Sequence, residues 1–104
     1  RNRPYGTVEI RVEGDHLRFR LGSWGPFDSA TSARTVTDPR GDRIAVSHRA
    51  SDDRLVQRLR HELGQRENHF WVSPDGGTLV LHAIVTAPRL PRPITFRLTY
   101  ARVS

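Results

Sequence analysis

The sequence predicts an all-β domain, a small antiparallel up-and-down β-barrel of about eight strands. Three observations carry this. Apolar and polar residues alternate with a period of two along most of the chain, the spacing of a strand with one buried face. Turn signals rich in Gly, Pro and Asp separate the alternating runs at short intervals. The 104 residues fit one domain with a modest core. Sequential hairpins favour a barrel over a Greek-key sandwich, which needs longer crossing connections.

The first hairpin is Thr7–Glu13 and His16–Leu21, joined at Gly14-Asp15. Gly22 to Ala33 is rich in turn formers and then in Ser, Thr and Ala, so it is expected to be a loop. It carries Trp24 and Phe27, which must rest against something. A second hairpin joins Arg34–Thr37 to Arg43–His48 through Asp38-Pro39-Arg40-Gly41-Asp42, where Pro sets φ and Gly supplies positive φ. The Arg40-Gly41-Asp42 triplet also spells an integrin-binding tripeptide, but a turn of this composition explains it.

Residues 51–64 satisfy two patterns. As a helix over 52–63 they offer Ser51 or Asp52 as N-cap, Leu55, Leu59 and Leu63 every four residues, and Gly64 past the end. As a strand, Leu55, Gln57, Leu59, His61 and Leu63 share one face. Local rules favour the helix, and the surrounding meander of short strands favours the strand.

His69–Ser73 is aromatic and β-prone, and Pro74-Asp75-Gly76-Gly77 is the clearest turn in the chain. Thr78–Ala87 is a nearly continuous apolar run, as in a strand covered on both faces. Pro88–Pro93 interrupts; its Pro-x-x-Pro matches a minimal SH3 ligand but fits a stiffened loop between strands. Ile94–Tyr100 then alternates again. The expected inward set is Val8, Ile10, Val12, Leu17, Phe19, Leu21, Ile44, Val46, Leu55, Leu59, Phe70, Val72, Leu79, Leu81, Val85, Ile94, Phe96, Leu98 and Tyr100.

Composition narrows the chemistry. There are no Cys and no Met, so disulfides, thiolate nucleophiles and Cys-ligated metals are excluded. Lacking Cys, the chain suits export or the cytoplasm equally. No apolar run approaches the ~18 residues of a transmembrane helix. The chain begins at Arg1, as expected of a processed form or a domain cut from something larger. All 17 basic residues are Arg, against 11 acids, for a formal charge of +6. The arginines alternate with apolar residues, as Arg18 and Arg20 do around Phe19, instead of clustering. They read as the solvated face of strands, so no specific nucleic-acid partner is expected.

A resemblance can be stated on particular residues. Val72-Ser73-Pro74-Asp75-Gly76-Gly77-Thr78-Leu79, then Pro88–Ile94 and Phe96–Tyr100, resemble the closing strands of small bacterial lipocalin-like (calycin-type) barrels. There, a strand, an S-P-D-G turn and a long strand precede a final strand ending in Tyr. Tyr5–Gly22 resembles the first hairpin of lipocalin-like modules attached to bacterial serine hydrolases. Together the stretches span about half the chain. The chain departs from classical lipocalins in being shorter, without a disulfide, and without Gly-x-Trp near the first strand. Gly22-Ser23-Trp24 has that spacing, but only after the second expected strand.

The expected function is non-enzymatic binding of an apolar or amphipathic small molecule, neutral or anionic, inside the barrel. Its hydrocarbon would lie against Phe19, Val46, Phe70, Leu81, Ile84 and Phe96, under a lid formed by Trp24 with Phe27. His48 or Tyr100 would orient a polar group. Two alternatives stand beside this. One is an accessory module, filled by its own side chains, that packs on a protein partner through an Arg-rich face. The other is a metal- or haem-binding barrel using some of His16, His48, His61, His69 and His82, although no His-x-His or His-x-x-x-His pair occurs. No catalytic residue is assigned, since no Gly-x-Ser-x-Gly elbow is present, and no cofactor or metal is expected.

Overall fold

The computed structural model describes residues 5–13, 16–51 and 53–102, and among these the chain is all-β and antiparallel with no helix. Nine strands run in chain order: β1 Val8–Glu13, β2 His16–Leu21, β3 Trp24–Ser29, β4 Arg34–Thr37, β5 Arg43–Ala50, β6 Leu55–His61, β7 Gly64–Val72, β8 Thr78–Thr86 and β9 Ile94–Ala101. They form a three-stranded sheet, β1-β2-β3, and a six-stranded sheet, β4 to β9, each in sequence order. This corrects the expected eight-stranded closed barrel. The meander is right, but among the described residues there are nine strands in two sheets and no closed ladder.

The first hairpin has the expected register, Val8↔Leu21 through Glu13↔His16. Its turn at Gly14-Asp15 lies outside the described residues, as does the side chain of Val12. The ninth strand comes from the segment expected to be a loop. β3 pairs with β2 at Phe19↔Phe27 and Leu17↔Ser29, with a register shift between Phe19 and Leu21. Gly25 makes that shift possible. Its φ is +117°, and a Cβ there would lie 2.6 Å from the Phe19 carbonyl oxygen, a position only glycine fills. After β3 the chain steps along one edge of β5. The His48 N–H donates to Ala30 O at 3.0 Å, and β4 takes up that edge at Arg34↔Val46 to Thr37↔Arg43. This step divides the meander into two sheets.

Residues 55–61 are strand, paired on both edges: Val46↔Leu59 with β5 and Leu55↔Phe70 with β7. The competing helix over 52–63 is thereby corrected; its proposed cap Asp52 lies outside the described residues. Spacing of four preserves strand parity, so Leu55 and Leu59 share a face in either conformation. Val56 decides the matter, because the opposite face buries it too, at 6% exposure, which an amphipathic helix would not require. Leu63 falls in the β6–β7 turn and is exposed.

The core is Phe19, Leu21, Phe27, Ile44, Val46, Leu59, Phe70 and Leu81. Val8, Ile10, Leu17, Val36, Leu55, Leu79, Leu98 and Tyr100 pack against it half-buried. Each large side chain fully buried here contributes about 1.5–3 kcal/mol relative to exposure. Two expected inward residues are corrected: Val72 and Ile94 have inward parity but are 58% and 51% exposed, because they sit at strand ends beyond the core.

Candidate functional site

The turns β2–β3, β4–β5 and β6–β7 and the β8–β9 connection gather at one end of the meander. Between them lies an open cavity of about 1060 Å³. Its apolar wall comes from Leu21, Trp24, Ile44, Leu59 and Val85. Tyr5 and Arg66 supply polar groups within it, and Arg40 and Arg89 stand at its mouth with Asp38 and Asp42. Gly64 lets this end form: a Cβ on it would lie 2.7 Å from the Thr86 carbonyl oxygen, so β7 can approach β8 this closely only without a side chain.

Trp24 is fixed on both sides. Its indole Nε1–H donates to Thr37 O at 3.2 Å, tying β3 to β4. Its ring stacks on Phe27 at 4.4 Å, Phe27 on Phe19 at 6.0 Å, and Phe19 meets Phe70 at 6.2 Å. A continuous aromatic column thus runs from the cavity wall into the core.

Below the cavity is a buried polar chain. The Arg66 Nε–H donates to Asn68 Oδ1 at 2.8 Å, and Asn68 Nδ2 donates to Gln57 Oε1 at 3.0 Å. Gln57 and Asn68 are fully buried and Arg66 is 7% exposed. The Arg66 guanidinium lies 4.3 Å from the Tyr5 ring centre and 5.2 Å from that of Phe96, two cation–π contacts. Among the described residues no carboxylate pairs with it. Its Nη2, and Gln57 Nε2, have no hydrogen-bond partner there. Burial lowers the Arg66 pKa, while Tyr5 and Tyr100 nearby oppose that shift. The Tyr5 phenol is pushed above its ordinary value by burial, against the influence of Arg66 and of the Asn68 hydrogen bond.

The nine residues expected to touch a ligand divide by position. Trp24 lines the cavity. Phe19, Val46, Phe70 and Leu81 are at most 2% exposed inside the core. Phe96 lies under Arg66. The Tyr100 hydroxyl donates to Tyr5 O at 2.8 Å, holding Tyr5 in place. His48 Nδ1 shares a 2.8 Å hydrogen bond with Ser29 Oγ, and burial holds its pKa below the usual value. Ile84 pairs with Glu67 and Thr95 and has the opposite parity to buried Leu81, Ala83 and Val85, so it lies on the outer face of the sheet. Arg66, Asn68 and Gln57 escaped sequence reasoning. The available signal was parity, since Arg66 and Asn68 alternate in phase with Phe70.

The histidines are spread over both faces. His69 and Glu67 are 3.1 Å apart, His61 and Asp42 are 3.8 Å apart, and the His69 and His82 rings are 6.3 Å apart. Among the described residues no group of three or more His, Asp or Glu is placed to hold a metal ion. No helix there is long and apolar enough to cross a membrane. Set against protein-family models, curated proteins and solved structures, the chain finds no match in any of the three.

Proposed function

We propose that this domain binds an amphipathic small molecule, without catalysis, in the cavity at the turn-lined end of the meander. The observation that carries the reading is the cavity itself, about 1060 Å³ with a largely apolar wall and a few convergent polar groups. Sites that take small ligands have this size and composition. Apolar parts of a ligand lie against Leu21, Trp24, Ile44, Leu59 and Val85. The core beneath is filled by its own side chains, so the ligand sits above Phe19 and Phe70 instead of between them.

The accessory-module alternative has less support. On the outer face of the six-stranded sheet three of the arginines are engaged locally. Arg54 and Arg97 flank Trp71 at 4.9 and 5.5 Å, and Arg58 holds Glu67 at 3.0 Å.

Trp24 makes the reading testable. It lines the cavity, whereas Trp71 lies on the outer face, so Trp71→Phe leaves Trp24 as the sole indole reporter. Titration of that variant with decanol is expected to change Trp24 emission saturably. Adding Ala87→Trp would crowd the mouth but confuse the signal; Ala87→Leu crowds it silently and is expected to weaken the response. An emission spectrum unchanged up to the solubility limit of decanol would overturn the reading.

A further inference from the structure

We infer that the cavity is built for an anionic headgroup, and that an amphipathic carboxylate is the ligand class, received by the Arg66 guanidinium and the Tyr5 hydroxyl. The inference rests on the binding function proposed above and adds the chemistry of the ligand.

Arg66 has an unmet requirement. A guanidinium removed from water needs its N–H groups satisfied and its charge balanced. Arg66 is 7% exposed, yet it has no carboxylate partner among the described residues, and Nη2 makes no hydrogen bond there. Its Nε is already committed to Asn68 Oδ1, which fixes the direction of the planar fork. The rings of Tyr5 and Phe96 hold the guanidinium but offer no negative charge. Arg66 also lines the cavity, so a charge with no counter-ion among the described residues stands beside the open space, with Nη2 itself buried.

Tyr5 supplies a second donor in the same wall. Its Oη accepts from Asn68 Nδ2 at 3.4 Å, which leaves the phenolic proton available to an acceptor in the cavity. A carboxylate takes two such donors at once, and hydrogen bonds to a charged acceptor are the stronger kind. Nearby acids do not compete for these groups. Asp38 Oδ1 accepts from the N–H groups of Arg40 and Asp42, and Asp42 faces His61. A formal charge of +6 favours the approach of an anion from a distance.

The test compares decanoate with decanol, which share a chain length and differ in the headgroup, using Trp24 emission in Trp71→Phe protein. Decanoate is expected to bind at least about tenfold more tightly, the scale of one charged hydrogen bond. Arg66→Met is expected to bring decanoate down to the level of decanol while leaving decanol itself little changed. Tyr5→Phe is expected to remove a smaller part of the preference. Arg40→Gln and Arg89→Gln at the mouth are expected to keep it. Equal affinities in the native site would overturn the anion inference and leave the binding function standing. Loss of the preference in the mouth variants alone would overturn the assignment to Arg66. Binding of neither compound would remove the reading on which the inference rests. If Arg66→Met fails to give a β-type circular dichroism spectrum, the decanoate–decanol comparison in the native site still decides.

Discussion

The Tyr100 hydroxyl donates to the main-chain oxygen of Tyr5 at 2.8 Å, joining the last strand to the segment ahead of the first. No β1–β9 ladder closes the meander among the described residues. This side-chain bond therefore does part of what a ladder does in a closed barrel. It also sets Tyr5 against Arg66, so the seam and the cavity share a support.

Tyr100→Phe keeps the ring and removes only that bond. A net loss of about 0.5–1.5 kcal/mol is expected, read as a lower urea midpoint at unchanged slope. Amide exchange at Tyr5 and Gly6 should quicken more than in the core of β7. An unaltered midpoint would show that the seam is held by other contacts.

Asn68 is the hinge of the buried polar chain. Asn68→Leu leaves Arg66 Nε and Gln57 Oε1 without partners in addition to the donors already orphaned. Each newly unsatisfied buried group costs about 1–3 kcal/mol, so a loss of about 2 kcal/mol or more is expected. Gln57→Leu combined with Asn68→Leu removes one orphaned acceptor along with its partner. The pair should therefore be less destabilising than the sum of the two single changes. Strict additivity in urea denaturation would contradict the coupling of these side chains.

Much of the fold can be read from the sequence because period-two alternation fixes which face is buried. β1, β2, β5 and β9 follow from it directly. β3 does not, because its strand character depends on a register shift accommodated by Gly25 and on pairing with β2. Gly and Pro locally signal a turn, and β3 tolerates Pro26 at an exposed position. β6 is ambiguous for a geometric reason: leucines four apart share a face in both a helix and a strand. The site is less legible than the fold. Trp24 is identifiable as an aromatic at the open end, but Arg66, Asn68 and Gln57 look like solvated residues. Parity puts them on the inner face, but what buries them is the cross-strand pairing Gln57↔Asn68 and the ring of Tyr5 over Arg66, which parity does not encode. Ile84 fails as a ligand contact for the opposite reason: its apolar character says nothing of which face it takes.

Acid should weaken the fold in two steps. Burial holds His48 below its ordinary pKa. For Glu67, burial pushes the carboxyl up, but hydrogen bonds from His69 and Arg58 outweigh it and the net shift is down. Both groups thus bind protons less readily when folded than when unfolded. Their stabilisation is complete above the unfolded values, about 6.5 for His and about 4.3 for Glu, and is lost as pH falls through the folded ones. Urea midpoints should begin to fall below about pH 6.5 and fall again below about pH 4.3. His48→Gln should flatten the first descent and Glu67→Gln the second. A His48→Gln curve superimposable on the native one between pH 7 and 5 would contradict the His48 assignment.

Gly25 and Gly41 separate backbone conformation from crowding. Both have positive φ, +117° and +89°, so an alanine at either position is strained by about 1–2 kcal/mol. At Gly41 the added Cβ meets nothing within 4 Å, and the conformational cost is the whole effect. At Gly25 the same atom would lie 2.6 Å from Phe19 O and 3.1 Å from Arg20 Cα. Both belong to the backbone of β2, which cannot move without disturbing Phe19 in the core. Gly25→Ala is therefore expected to destabilise by at least about 1 kcal/mol more than Gly41→Ala, the scale of overpacking in a packed interior. It should also shift Trp24, the preceding residue of β3, and alter its emission, whereas Gly41→Ala leaves the indole signal unchanged. Parallel thermal melts with fluorescence detection measure both quantities. Equal losses in the two variants would mean that β3 yields freely, and that the register shift at Phe19 does not depend on glycine.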